Sequence, residues 1–164
     1  MTKQEMLEGP VVHVWTDGSS GGKRGPGGWA AILTYKNVRR EISGGMPDDE
    51  TNNTMELQAI LRGLEALHNR PVNAVIHTDS ENAINWINGK YRVRARHLQP
   101  VVLAIRRAMI ERGHAVRFVK VAAHAGIELN ERADALAVQA REHAVSLKAP
   151  WSSSTLWIDG KQID

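Results

Sequence analysis

The run VWTDGSSGGKRGPGGWAAIL, residues 14–33, restricts the fold more than any other part of this chain. Two apolar, β-prone segments flank a glycine-rich turn, so they read as antiparallel neighbours in one sheet. The first segment ends on Asp17. A carboxylate at the end of a buried strand either opens a turn or is held at a sheet edge, where it can bind metal. These residues alone leave both readings open.

The rest of the chain supplies partners for that pair. Val11 to Asp17 is β-rich, and Gly28 to Tyr35 and Val38 to Gly44 read as a hairpin turning at Lys36-Asn37. From Thr54 to His68, Leu57, Ile60, Leu61, Leu64 and Leu67 recur at helical spacing, and the preceding TNN offers capping oxygens. NAVIHTDS is a short buried strand ending at Asp79, and the helix after it stops at Gly89. A basic segment, KYRVRARH, leads to a helix over residues 99–112. HAVRFVKV alternates as a strand, and a last helix runs from Asn130, as its cap, to His143. This order predicts an α/β fold with a mixed five-stranded sheet, three strands antiparallel and two added in parallel through crossovers, with helices on both faces. Residues 1–10 read as a polar tail, 11–143 as the domain, and 144–164 as a C-terminal tail that is either disordered or a small docked hairpin around Asp159-Gly160.

Bulk properties exclude several classes. With 164 residues, 42% of them hydrophobic, one domain with a real core is expected. The chain has no cysteine, so disulfides and thiolate metal sites are ruled out. Residues 1–10 contain no apolar run, and no segment approaches the ~20 apolar residues that span a bilayer; a cytoplasmic protein with no membrane partner is expected. A net charge of +3 is compatible with a nucleic-acid partner but does not demand one.

Four acids share a kind of position. Asp17 and Asp79 end strands, while Glu56 and Asp134 lie in the first turns of helices. Each has an ordinary structural explanation, as a turn residue or as a complement to a helix dipole. Together they can meet at one edge of an α/β sheet, where like charges would repel unless cations intervened. Oxygen-only ligands of this kind suit Mg²⁺ or Mn²⁺, and two such ions support phosphodiester hydrolysis.

TDGS followed by GPGG, then TNNTMELQAI, TDSENAINWI and HAGIELNERADALA, appear in an order and spacing that resemble type 1 ribonuclease H, close to its bacterial form, over residues 11–143. The resemblance implies cleavage of the RNA strand of RNA–DNA hybrids by a monomeric enzyme using two divalent ions, Mg²⁺ or Mn²⁺. It casts Asp17 and Asp79 as the bridging and flanking metal ligands, Glu56 as the ligand that also meets the ribose, and Asp134 as the outer ligand. His124, in a glycine-containing loop, corresponds to a histidine that assists proton transfer or product release. Asn52 and Asn53 match minor-groove contacts, and amides can both donate to and accept from a 2′-hydroxyl. Thr51 matches part of a DNA-phosphate pocket, and Ser20 and Glu81 stand at further substrate-contact positions. A hybrid-binding module without activity, or another nuclease or integrase of the same broad superfamily, would be the competing readings. Four retained acids oppose the first, and TNN with HAGIELNE opposes the second.

The chain departs from its relatives in three places. Lys23 and Arg24 replace part of a GNPGPGG loop, Ala122 and Ala123 stand before His124 where Lys-Gly is frequent, and the tryptophan- and lysine-rich protrusion is shortened. Trp86 remains from it. Lys90, Arg92, Arg94 and Arg96 fall on alternate positions, and an extended backbone would turn them one way, as a reduced substitute for gripping phosphates.

Overall fold

The structure, a computed structural model, describes residues 9–122 and 125–163. Among these described residues, seven strands form one sheet in the order β5-β4-β1-β2-β3-β6-β7. β1 (Val11–Ser20), β2 (Gly25–Tyr35) and β3 (Val38–Glu50) make the antiparallel meander. β4 (Asn73–Thr78) joins β1 in parallel, and β5 (Ala115–Lys120) joins β4 in parallel. Five strands stand in the order expected, but the first three are longer: β1 runs past Asp17 to Ser20, β2 begins at Gly25, and β3 continues past Gly44 to Glu50.

The sheet does not stop at five. β6 (Trp151–Ile158) pairs antiparallel with β3, and β7 (Lys161–Gln162) folds back on β6 through the Asp159-Gly160 turn. The hairpin alternative for the C-terminal segment is therefore the one observed, and it corrects the strand count. The physical reason is the exposed ladder of β3: its outer backbone groups need partners, and β6 supplies them from Val38↔Ile158 to Gly45↔Trp151.

Helix α1 (Asn52–Glu65) turns its Leu57, Ile60 and Leu64 into the core. Thr51 is its cap, accepting from the Thr54 amide at 3.2 Å, while Asn52 and Asn53 belong to its first turn. Helix α2 (Glu81–Ile87) is capped by Ser80, whose hydroxyl accepts from the Ala83 amide, and α3 (Gln99–Glu111) follows a single 3₁₀ turn at Arg96–Leu98. Helix α4 (Glu128–Leu147) is longer than expected at both ends, and Asn130 is not its cap: the helix begins two residues earlier and buries Asn130 within it. Acids at Glu128 and Glu131 favour that earlier start by complementing the helix dipole.

The faces are assigned by two adjacent glycines on β2. A methyl on Gly27 would meet the Met55 side chain of α1, and one on Gly28 would overlap the Ala137 carbonyl of α4. Successive strand residues point to opposite faces, so α1 and α4 cover opposite sides of the sheet. The main core lies on the α1 side, where Val14, Ala31 and Ile76 pack with Leu57, Ile60, Leu64, Val102 and Ile105. Across the sheet, Ala133, Ala137, Ala140 and Ala144 give α4 a small-residue face that lets it lie close to the strands. No helix among the described residues is long and apolar enough to cross a membrane.

Gly28→Ala should cost about 3 kcal/mol or more, because backbone on α4 must move to admit the methyl. Thermal denaturation should show a Tm lower by roughly 5–10 °C. Gly25→Ala, where the nearest atom is 3.5 Å away, should change stability by under about 1 kcal/mol.

Candidate active site

Asp17 does not end β1 as expected: the strand runs three residues further, to Ser20, because the small residues after Asp17 keep pairing with β2, and Gly18 lets α1 approach there. A methyl at Gly18 would overlap the Glu56 amide nitrogen, so the helix can touch the strand only because no side chain is there. That contact sets Asp17 and Glu56 side by side. β4 is in parallel register with β1 up to Trp15↔His77, so its end presents Asp79 beside them. Oxygens of Asp17, Glu56 and Asp79 lie within 4.8 Å of one another.

Burial makes this grouping costly. Asp17 is 4% exposed and Glu56 5%. Burial, then the charge of Asp79, pushes the Asp17 carboxyl up to about 7, against the partial relief of a hydrogen bond with Glu56 and of the Gly18 amide, which donates to Oδ1 at 2.9 Å. Burial and the charges of Asp17 and Asp79 also hold the Glu56 carboxyl well above its ordinary range. Glu56 Oε2 is buried and has no hydrogen-bond partner among the described residues. A divalent cation would satisfy that oxygen and neutralise the cluster, and an all-oxygen donor set suits Mg²⁺ or Mn²⁺.

A cleft of about 580 Å³ opens over the three acids. Asp134 lines it from the second turn of α4, outside the set of three. Asn52 and Asn53 line it from the first turn of α1, and Glu81 and Asn82 from the start of α2. Lys120, at the end of β5 and in register with Thr78, completes the wall. Sequence reasoning did not single out Asn82 or Lys120. The parallel pairing of β4 with β5 is the signal that places Lys120 there, and it becomes visible only once the strands are aligned.

The other expected substrate residues lie apart from this cleft. Thr51 is occupied as a cap, with its hydroxyl also 2.8 Å from that of Thr54. The Ser20 hydroxyl donates to the Gly22 carbonyl at 2.8 Å. Trp86 is half-buried against the core, and its carbonyl accepts from Arg106. Lys90, Arg92, Arg94 and Arg96 are exposed, whereas Val93 and Ala95 between them pack on the core. The alternation expected of an extended segment thus holds from 92 to 95, ending where Arg96 enters the 3₁₀ turn. His124 lies outside the described residues.

The family model for RNase H matches residues 9–142. A ribonuclease H of Granulibacter bethesdensis is 42% identical over 143 residues, covering 82% of this chain and 94% of that protein. A ribonuclease HI of Caulobacter vibrioides is 44% identical over 138 residues, covering 78% and 91% respectively. Among solved structures, LC11-RNase H1 in complex with an RNA/DNA hybrid superposes with a TM-score of 0.66 at 28% identity, covering 82% of this chain and 99% of that one. The RNase H1 of the archaeon Halobacterium salinarum gives a TM-score of 0.67 at 25% identity, covering 82% and 99%.

The acid pair makes stability depend on pH. Asp17 holds its proton more tightly in the folded chain, with a value of about 7, than at the ordinary 3.8. Without metal, that contribution is complete below about pH 4 and is lost as pH rises through 7. In EDTA, Asp17→Asn should therefore gain on the parent as pH increases from 5 to 8. A higher Tm than that of the parent is therefore expected for the variant at pH 8, with the advantage shrinking as pH falls toward 4. Saturating Mg²⁺ should erase that advantage by stabilising only the parent.

Proposed function

The chain belongs to the ribonuclease H family, and we propose that it is an endoribonuclease that hydrolyses the RNA strand of RNA–DNA hybrids with divalent ions held by Asp17, Glu56, Asp79 and Asp134. The observation that carries this reading is the three-carboxylate cluster at the floor of an open cleft, two of its acids buried and Asp79 half-buried, with one glutamate oxygen left unpartnered among the described residues. Divalent ions, Mg²⁺ or in its place Mn²⁺, two of them with substrate in place, supply charge neutralisation and Lewis acidity at the scissile phosphate.

The residues of the chain divide the remaining work. Asp17, on β1, and Glu56, on the helix, hold their carboxylates in fixed relation through the Gly18 contact. Asn52 and Asn53, exposed on the cleft wall, present amides to the 2′-hydroxyls that distinguish RNA from DNA. His124 moves a proton between the site and solvent, a task for which a near-neutral imidazole is suited. The basic residues 90–96 contact backbone phosphates, positioning the duplex without reading its sequence. One chain supplies all four carboxylates, so a monomer suffices, and a cysteine-free chain suits the cytoplasm.

Cleavage of a labelled hybrid should be Mg²⁺-dependent, abolished by EDTA, and absent on matched RNA and DNA duplexes. Asp17→Asn should lower kcat by about 100-fold or more, because even outer partners of a metal site are worth 10–100-fold. Equal cleavage of the RNA duplex, or full activity in Asp17→Asn at low Mg²⁺, would overturn the assignment.

Replacing Arg92, Arg94 and Arg96 together by Ala should raise KM alike for hybrids of different sequence, with kcat nearly constant. The salt slope of log affinity should shrink by about 0.7–0.9 for each phosphate deprived of its arginine. An unaltered KM and slope would make residues 92–96 a charged connector only.

A further inference from the structure

The cleft has an unbalanced charge. Asp17, Glu56, Asp79, Glu81 and Asp134 line it, and Lys120 is the only cation among the described residues that do. Its position follows from the sheet. β5 lies parallel to β4, and Lys120 stands beside Thr78, whose chain neighbour is Asp79. The end of an edge strand thus sets an ammonium at the wall of the acid site, where α/β sheets receive their ligands.

What holds Lys120 is weak. Its Nζ lies 3.3 Å from Glu81 Oε2, and both side chains are more than half exposed, at 54% and 62%. An exposed pair of this kind contributes little to the fold and exchanges readily with water or another anion. Glu81 is on the first turn of α2, so the partner of Lys120 also belongs to the cleft wall. The pair is placed where a polyanion entering the cleft must pass, and a phosphate can take the place of the glutamate.

We propose that Lys120 is a substrate-binding residue, whose ammonium leaves Glu81 and binds a phosphate of the cleaved strand beside the carboxylate cluster. This rests on the hybrid-hydrolase reading above. Glu81 is the competitor in this exchange: it keeps the ammonium oriented along the cleft wall in the free protein and yields it when the duplex docks. Lys120 thereby supplies the fixed positive charge that five carboxylates deny to the approaching backbone. The interaction is made in the ground state and the transition state alike, so removing it falls on KM and leaves kcat in place.

The test is steady-state cleavage of a fluorescently labelled hybrid of mixed sequence, in Mg²⁺, across a series of salt concentrations. Lys120→Met should raise KM about five- to tenfold with kcat nearly constant, and should reduce the salt slope by about 0.7–0.9, the signature of one phosphate contact. Lys120→Arg should restore the slope. Glu81→Gln removes the competitor and should lower KM about two- to threefold. A purely structural pair predicts otherwise: removing either partner would then raise KM alike, without altering the slope. The proposal is overturned if Lys120→Met keeps both KM and slope, or if Glu81→Gln raises KM as Lys120→Met does. If the parent protein itself fails to cleave the hybrid, the hydrolase reading fails, and this inference with it; cleavage by the parent with an indifferent Lys120→Met sinks the inference alone.

Discussion

The backbone contact between Gly18 and Glu56 is the constraint from which the site follows. Helix α1 can lie against β1 only where the strand has no side chain, and Gly18 is that place. The same residue's amide donates to Asp17, so Gly18 both admits the helix and anchors the first carboxylate. Adding the methyl would lift the helix, part Asp17 from Glu56, and dissolve the cluster without touching an acid. The sheet supports this from the other side, since Gly28 admits α4 closely enough for Asp134 to reach the same cleft.

The sheet extension has a consequence for the same region. α4 packs on β1, β2 and β3, and β6 lengthens the platform beyond β3. His143 on α4 stacks on Trp151 at the start of β6, with ring centroids 4.6 Å apart, and Arg39 on β3 lies over the Trp157 ring. The C-terminal hairpin is therefore joined to the helix that carries Asp134 as well as to the strand it pairs with. A segment outside the cleft thus steadies one of its walls.

How much of this is legible in the sequence depends on whether a signal is local. Strand and helix order follows from hydrophobic period, which is a property of neighbouring residues. Of the four carboxylates, Asp79 follows a strand end and Glu56 and Asp134 stand near helix starts, whereas Asp17 lies inside β1; Asp17, Glu56 and Asp79 meet in the structure. The start of α4 is deceptive because Asn130 is a good cap by type, whereas Glu128 and Glu131 are the better evidence. β6 gives no definite signal because its serines, Ser152, Ser153 and Ser154, are exposed and carry no burial pattern; its place is decided by the unpaired ladder of β3, which lies far away along the chain. Lys120 is unreadable for the same reason, since its role depends on the neighbour that β5 acquires.

Two glutamates show how the fold separates structure from chemistry. Glu41 and Glu56 are both 5% exposed. Burial pushes the Glu41 carboxyl up, but Arg132 more than offsets it: the guanidinium donates through Nε at 2.9 Å and Nη2 at 3.0 Å, and with Arg39 nearby it holds Glu41 below its ordinary range. That ion pair ties α4 to β3 and leaves little of the carboxylate for a ligand. Among the described residues Glu56 receives no such cation, the charges beside it are those of Asp17 and Asp79, and it is held well above its ordinary range. An arginine beside Glu56 would relieve the strain and at once remove the site, because a carboxylate satisfied by a guanidinium has little to offer a metal. The chain carries 21 lysines and arginines, so cations are not scarce; they are kept from the floor of the cleft. The unsatisfied charge there is tolerated because the core on the α1 face and the alanine face of α4 hold the strands and helices in place without it.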